Sequence, residues 1–347
     1  GIWSVRLTSH LSPTLSTLGV GLVGAVIARA LSLPIPELTG PAIAVSLAGL
    51  WGMHLHLNVL VRNVAFVVLG ISIGAGMTAE TTQMMLRLPL AFVAVALSTI
   101  LGLAMCWYVL VKVFGFDRRA GLLAASPGHL SFVLSMGAQY DLDLPRITIV
   151  QSIRLLALTL LTPAIAFALG ISPPTSLAGT GTPMAVWIIV AIAAVSYIVS
   201  LGLERIKTPA PLLMGAMLVS MIGHGSGITE GVMPSWLALP AFVVLGTLIG
   251  TRFGGVTLTD LANAAVAGGV ATAITACTAF AFAIAVAVWM GLPLQELLIA
   301  FAPGGLETMV AMSVAMGINS GFVAACHLAR LLVLSALVPL LFARTKP

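Results

Sequence analysis

The chain has 347 residues, of which 60% are hydrophobic and only 7% charged, with 15 Lys+Arg against 10 Asp+Glu. Soluble domains carry roughly 25% charged residues, so a water-facing globular surface is excluded. The net charge of +5 comes from basic residues placed singly between apolar segments, which speaks against a nucleic-acid partner, whose footprint needs clustered Lys/Arg. Apolar runs recur from end to end, long enough to cross a hydrocarbon core about 30 Å thick. They lack the period-two alternation of an outer-membrane barrel. The composition predicts an all-α polytopic membrane protein.

In chain order the expected spans are 12–31, 37–53, 59–77, 88–115 and 145–170, then 184–203, 210–223, 235–252, 261–290 and 320–343. The Leu18–Ala30 run has the length of a signal-peptide core, but no clear cleavage site follows it and a span explains it better. Two further segments, 118–139 and 294–317, carry a Pro-Gly break in apolar sequence. Cys106, Cys277 and Cys326 lie far apart inside apolar runs and read as small buried hydrophobes.

The chain is an internal duplication. Ala65-Phe-Val-Val-Leu-Gly-Ile-Ser-Ile-Gly74 recurs as Ala241-Phe-Val-Val-Leu-Gly-Thr-Leu-Ile-Gly250, at an offset of 176 residues. The same offset maps Ser126-Pro-Gly-His-Leu130 onto Ala302-Pro-Gly-Gly-Leu306, Gln151 onto His327, Arg154 onto Arg330 and Pro163 onto Pro339. At an offset of 175, Pro36 and Gly40 pair with Pro211 and Gly215. The repeats are expected at 12–170 and 184–346.

Charge counting sets their relative orientation. With the two broken segments re-entrant, Arg6, Arg62, Lys112, Arg118, Arg119, Arg146, Arg205, Lys207, Arg252, Arg344 and Lys346 all fall on the cytoplasmic side. Only Arg29 and Arg87 remain outside. The expectation is two inverted repeats, each of five transmembrane spans plus one re-entrant helical hairpin, with about 10 transmembrane helices in all and both termini cytoplasmic. Inverted repeats with broken helices belong to secondary transporters, with the site near the midplane.

Candidate site residues follow from the breaks. Proline lacks an N–H and glycine tolerates positive φ, so Pro-Gly frees backbone groups that need protein or water as partners. A helix restarting there points N–H groups at an anion. This nominates Ser126, Gly128, His129, Gly304 and Gly305 for substrate binding; the structural alternative is a kink or a surface loop. Arg154 and Arg330 lie about 12–15 Å into their spans at about 1.5 Å per residue, with Gln151 and His327 three residues earlier on the same face. A guanidinium fork suits a carboxylate or phosphate. Equally, it can bond backbone carbonyls freed by the breaks, with Glu307 as a partner for Arg330. Glu307 itself reads as a proton carrier, a cation ligand or a plain ion-pair partner. Asp141, Asp143 and Asn319 read as loop or cap residues.

His54, His56, His10 and His224 fall near span ends. His54-x-His56 alone is a weak metal signal, so no metal and no cofactor are expected, beyond a coupling ion, H+ or Na+, left open. No GxSxG, HExxH, P-loop or dinucleotide fingerprint is present, and no enzymatic activity is expected. The small-residue span 261–290 suits close helix packing, within one subunit or in a homo-oligomer.

The duplicated pattern resembles the AbrB membrane-protein family. The resemblance rests on Gly40-Pro41 and its repeat mate, the two Ala-Phe-Val-Val-Leu-Gly blocks, Ala302-Pro-Gly-Gly-Leu306 and His327-x-x-Arg330. It covers nearly the whole chain; in the first half the Pro-Gly-Gly becomes Pro-Gly-His129. Labels attached to such sequences, regulator of gene expression or ammonia monooxygenase, find no DNA-reading element and no copper-type histidine cluster here. The name is shared with an unrelated soluble DNA-binding regulator. The family is similar to inverted-repeat transporters with re-entrant hairpins, which implies a multi-pass protein of the bacterial inner membrane, among membrane lipid. Three functions remain open: alternating-access transport of a small anionic organic solute, a membrane-embedded regulator or receptor, and a passive small-solute channel.

Overall fold

The structure, a computed structural model, describes residues 11–76, 88–127, 130–170, 181–208 and 210–345. Among them the chain is helical: α1 Leu11–Ala30, α2 Pro36–Leu50, α3 Val59–Ala75, α4 Leu88–Lys112, α5 Arg118–Ala125, α6 Leu130–Gln139 and α7 Leu144–Ala168. The second half follows with α8 Val186–Arg205, α9 Pro211–Gly225, α10 Ser235–Gly250, α11 Leu258–Met290, α12 Leu294–Phe301, α13 Leu306–Ala315 and α14 Ser320–Arg344. Among the described residues, seven helices are long and apolar enough to cross a membrane: α1, α4, α7, α8, α10 with its 3-10 extension, α11 and α14. The protein is an all-α polytopic membrane protein. Three expected spans form shorter helices, α2 with 15 residues, α3 with 17 and α9 with 15. Exposed tryptophans (Trp51, Trp187, Trp236, Trp289) sit at helix ends, where membrane proteins place interfacial anchors.

The helices form two packing units, Gly1–Ala75 with Thr175–Thr257 and Gly76–Pro174 with Leu258–Pro347. Each unit takes the matching part of both repeats, so the units cut across the duplication. In the first, α3 packs on α9 and α10 packs on α2. The duplicated block explains the pairing. A Cβ added at Gly70 would lie 2.5 Å from the Leu213 carbonyl oxygen, and one at Gly246 would lie 2.3 Å from that of Leu38. Gly70 and Gly246 are repeat mates, and so are Leu213 and Leu38. The third helix of each repeat thus lays its Gly-x-x-x-Gly face on the second helix of the other, and only glycine permits that approach.

In the second unit α4, α7, α11 and α14 surround two pairs of short helices. Asp117 starts α5 by accepting from the Arg119 and Ala120 N–H groups. Asp143 and Asn319 cap α7 and α14 in the same way, the cap role expected of them. Asp141 takes the turn before α7 with φ of 53°. The apolar faces of α5 bury Leu122, Leu123, Ala124 and Ala125 completely. Cys106 and Cys326 are buried as expected, but Cys277 is exposed on the outer face of α11, because its turn of that long helix has no neighbour to cover it.

Contacts at the ends of the short pairs fix their course. Before α5, the Phe114 carbonyl accepts from Arg146 Nη2 at 2.7 Å, although Arg146 lies beyond α6. The Arg119 guanidinium stacks 5.2 Å from the Tyr140 ring and 5.0 Å from the Phe342 ring, and its Nε donates to the Thr345 carbonyl. The α5–α6 segment therefore leaves and returns beside the C-terminal end of α14. In the other pair, α12 begins at Leu294 with Glu296 in its first turn, and α13 ends at Ala315, four residues before the Asn319 that caps the N-terminal end of α14. The 25 residues of α14 separate these two ends by about 37 Å at about 1.5 Å per residue.

Filling the glycine contacts should be costly. Gly70→Ala and Gly246→Ala are each expected to destabilise by about 1–3 kcal/mol. Gly19→Ala, in α1 with nothing within 4 Å of the new Cβ, is expected to be neutral or stabilising by up to about 1 kcal/mol. Thermal unfolding in detergent measures all three; equal transitions for Gly246→Ala and Gly19→Ala would contradict the packing argument.

Candidate functional site

Two helices end abruptly inside the second unit, and each end is closed by an arginine from a neighbouring long helix. The carbonyls of the last turn of an α-helix lack intrahelical partners, and away from water each demands a donor. At the end of α5, Arg154 Nη2 donates to the Ser126 carbonyl at 2.9 Å, and Nη1 reaches those of Ala124 and Ala125 at 3.4 Å. Gln151 Nε2 donates to the Leu123 and Ser126 carbonyls at 2.7 Å each. Its Oε1 accepts from Arg154 Nη2.

The second break repeats this at the offset of 176. Arg330 Nη1 donates to the Ala302 carbonyl at 2.8 Å, and Nη2 to those of Phe301 at 2.9 Å and Ala300 at 3.2 Å. His327 Nε2 donates to the Ile299 carbonyl at 3.0 Å, and its Nδ1 faces Arg330 Nη1 at 3.4 Å. One neutral tautomer, with the proton on Nε2, satisfies both contacts. Histidine here performs the task of glutamine in the first repeat. Each guanidinium also places a positive charge at the negative end of a helix dipole.

Arg154 and Arg330 are each 3% exposed. Arg29 and Glu37 form an ion pair at 2.9 Å in the first unit. No carboxylate oxygen of Glu307 comes within 4.0 Å of Arg330, so the ion pair between them expected as one alternative does not form. Glu307 is half-buried in the first turn of α13, whose N-cap Gly305 offers no side-chain cap. The first N–H groups of α13 therefore face the break uncapped.

A cavity lies at the two breaks. It is lined by Pro127, Phe301, Pro303 and Arg330, by Ser98, Thr99, Gly102 and Leu103 of α4, and by Thr275 and Ala279 of α11. Its volume is about 10 Å³, room for about one water molecule. The wall is pseudo-symmetric: Thr99 and Thr275 are repeat mates, as are Pro127 and Pro303. Both threonine hydroxyls donate to their own helices, Thr99 to Val95 at 2.7 Å and Thr275 to Ala271 at 2.9 Å.

Of the residues nominated from sequence, Ser126, Gln151 and Arg154 gather at the first break and Gly304, Gly305, Glu307, His327 and Arg330 at the second. Gly128 and His129 lie outside the described residues. Of those described, only Arg330 lines the cavity. Ser98, Thr99 and Thr275 were missed because a hydroxyl in an apolar helix ordinarily bonds its own backbone; the repeat offset joining Thr99 to Thr275 is the signal that marks them.

The capping geometry makes a sharp stability prediction. Arg330→Lys loses the planar fork and should destabilise by about 1–3 kcal/mol, against about 0.5 kcal/mol or less for exposed Arg205→Lys. His327→Gln should be nearly silent, because Gln151 is its working counterpart, whereas His327→Leu should cost about 1–3 kcal/mol. Thermal unfolding in detergent decides this. Equal losses for His327→Gln and His327→Leu would refute the capping role.

Comparisons with known proteins place these features in a family. A family model described as transition state regulatory protein AbrB matches residues 37–346. An uncharacterised protein of Bacillus subtilis (strain 168), YhjN, is 27% identical over 249 residues, 67% of this chain and 65% of that protein's length. A protein of Escherichia coli (strain K12) named as a regulator, AbrB, is 24% identical over 327 residues, 87% of each chain.

Proposed function

The chain belongs to the AbrB family, and we propose that it is a secondary transporter of a small anionic organic solute, working by alternating access in the bacterial cytoplasmic membrane. In this reading 12–170 and 184–346 are inverted repeats of five spans each, and α5–α6 and α12–α13 are re-entrant hairpins whose tips meet near the midplane. The first pair's contacts with the C-terminal end of α14, and the second pair's run into its N-terminal end, support that arrangement.

One observation carries the anionic substrate. Two buried guanidiniums stand at the two breaks, one of them, Arg330, in the cavity wall, with no carboxylate within ion-pair distance among the described residues. Their forks are occupied by carbonyls, so they supply charge while other donors supply contact. The Nε–H of Arg330 has no partner among the described residues, and the Ser98 hydroxyl stands in the same wall. An organic anion exceeds a volume of about 10 Å³, so binding requires the breaks to part, as alternating access demands.

The family description and the name of the Escherichia coli relative speak of regulation. A ligand sensor would use the same cavity without moving its occupant, and a channel would pass solutes without saturating. Uptake separates the three. Proteoliposomes should accumulate at least one of labelled pyruvate, malonate or succinate with saturation, and Thr275→Val should lower the rate about 5–10-fold, the loss of about one hydrogen bond, at unchanged thermal stability. Binding without uptake would favour the sensor.

Topology has its own test. Single cysteines at 118 and 141 should react with impermeant reagents from one side, and those at 292 and 318 from the other. Labelling of 118 and 141 from opposite faces would rule out the hairpins.

A further inference from the structure

A carrier must return its site after delivery, and the charge around this cavity restricts how. Resting on the transport reading, we infer that the protein is an anion exchanger, in which a second anion occupies the site on the return half of the cycle.

The charge at the breaks is unpaired. Arg154 and Arg330 reach the breaks from different helices, and their N–H groups bond neutral carbonyls. Carbonyls satisfy the donors but leave about two full positive charges. Among the described residues the cavity wall adds hydroxyls, prolines and apolar groups, and no acidic side chain. Glu307 is not within ion-pair distance of Arg330, and Glu296 lies in the first turn of α12, at the end away from the break.

While the cavity is open, water solvates these charges. When it closes for passage it sheds that water, and an unpaired buried ion is costly. A bound anion removes the penalty in either direction, whereas the unloaded site must carry it alone. A barrier difference of 1.36 kcal/mol is tenfold in rate, so the unloaded return should be slower by about tenfold or more. Exchange of two anions of equal charge moves no net charge, so its rate should not respond to membrane potential.

Proteoliposomes of the unaltered protein test this with pyruvate, malonate and succinate as probes. Vesicles are loaded either with the unlabelled probe at millimolar concentration or with zwitterionic buffer alone, and entry of external labelled probe is followed. Exchange predicts entry at least about tenfold faster into the probe-loaded vesicles, unchanged by a potassium diffusion potential set with valinomycin. Equal entry under both loadings, or entry into buffer-loaded vesicles driven by a proton or sodium gradient, overturns exchange and leaves the transport reading standing. No entry of any probe under either loading overturns both.

Discussion

A buried helix end must find donors for its last carbonyls, and the second packing unit is organised around that requirement. Each break exposes a turn of carbonyls where water is scarce, and an arginine ten residues into a neighbouring helix supplies the donors. A helix of about eight residues can stop inside the protein only because that partner is present. The register of α7 and α14 is thereby fixed against the short helices, and the long helices in turn set where the broken segments end. The remaining consequence is electrostatic: satisfying neutral carbonyls with cations leaves net positive charge in the interior.

The two packing units solve different problems with the same duplicated sequence. The first closes its helices over glycines, with backbone against backbone at Gly70, Gly246 and their neighbours. Such contacts have little tolerance for added volume and hold a fixed surface. The second encloses a charged, hydroxyl-lined space at the pseudo-symmetric meeting of two helix breaks. Rigid packing in one unit and an interrupted backbone in the other suit a protein whose working parts are the breaks. Arg29–Glu37, the ion pair of the first unit, has an exposed arginine and contributes little at that exposure.

Much of this was legible in the chain. The apolar runs, the offset of 176, the paired Pro-Gly breaks and the Gln151/Arg154 and His327/Arg330 faces are all local features, and local periodicity preserves them. The role of the arginines was not decidable there, because a guanidinium offers the same donors to a freed carbonyl and to a carboxylate. Geometry settles where the fork points. The reason for the repeated Ala-Phe-Val-Val-Leu-Gly block was also hidden, since Gly70 meets Leu213 and Gly246 meets Leu38 only once helices from different repeats pair. Thr99 and Thr275 were invisible for a third reason: their hydroxyls bond their own helices, as hydroxyls in apolar helices usually do. Cys277 shows the limit of reading burial from an apolar run in a membrane chain, where outward faces are apolar too.

The central claim is that the space between the two breaks is a site for an anion. Anomalous diffraction distinguishes this directly, using one crystal soaked in sodium bromide and another in rubidium chloride. The account predicts a bromide peak between Pro127 and Pro303, within reach of the Arg330 guanidinium and the first turn of α13, and no rubidium peak there. Rubidium at that position, with bromide confined to the protein surface, would contradict it.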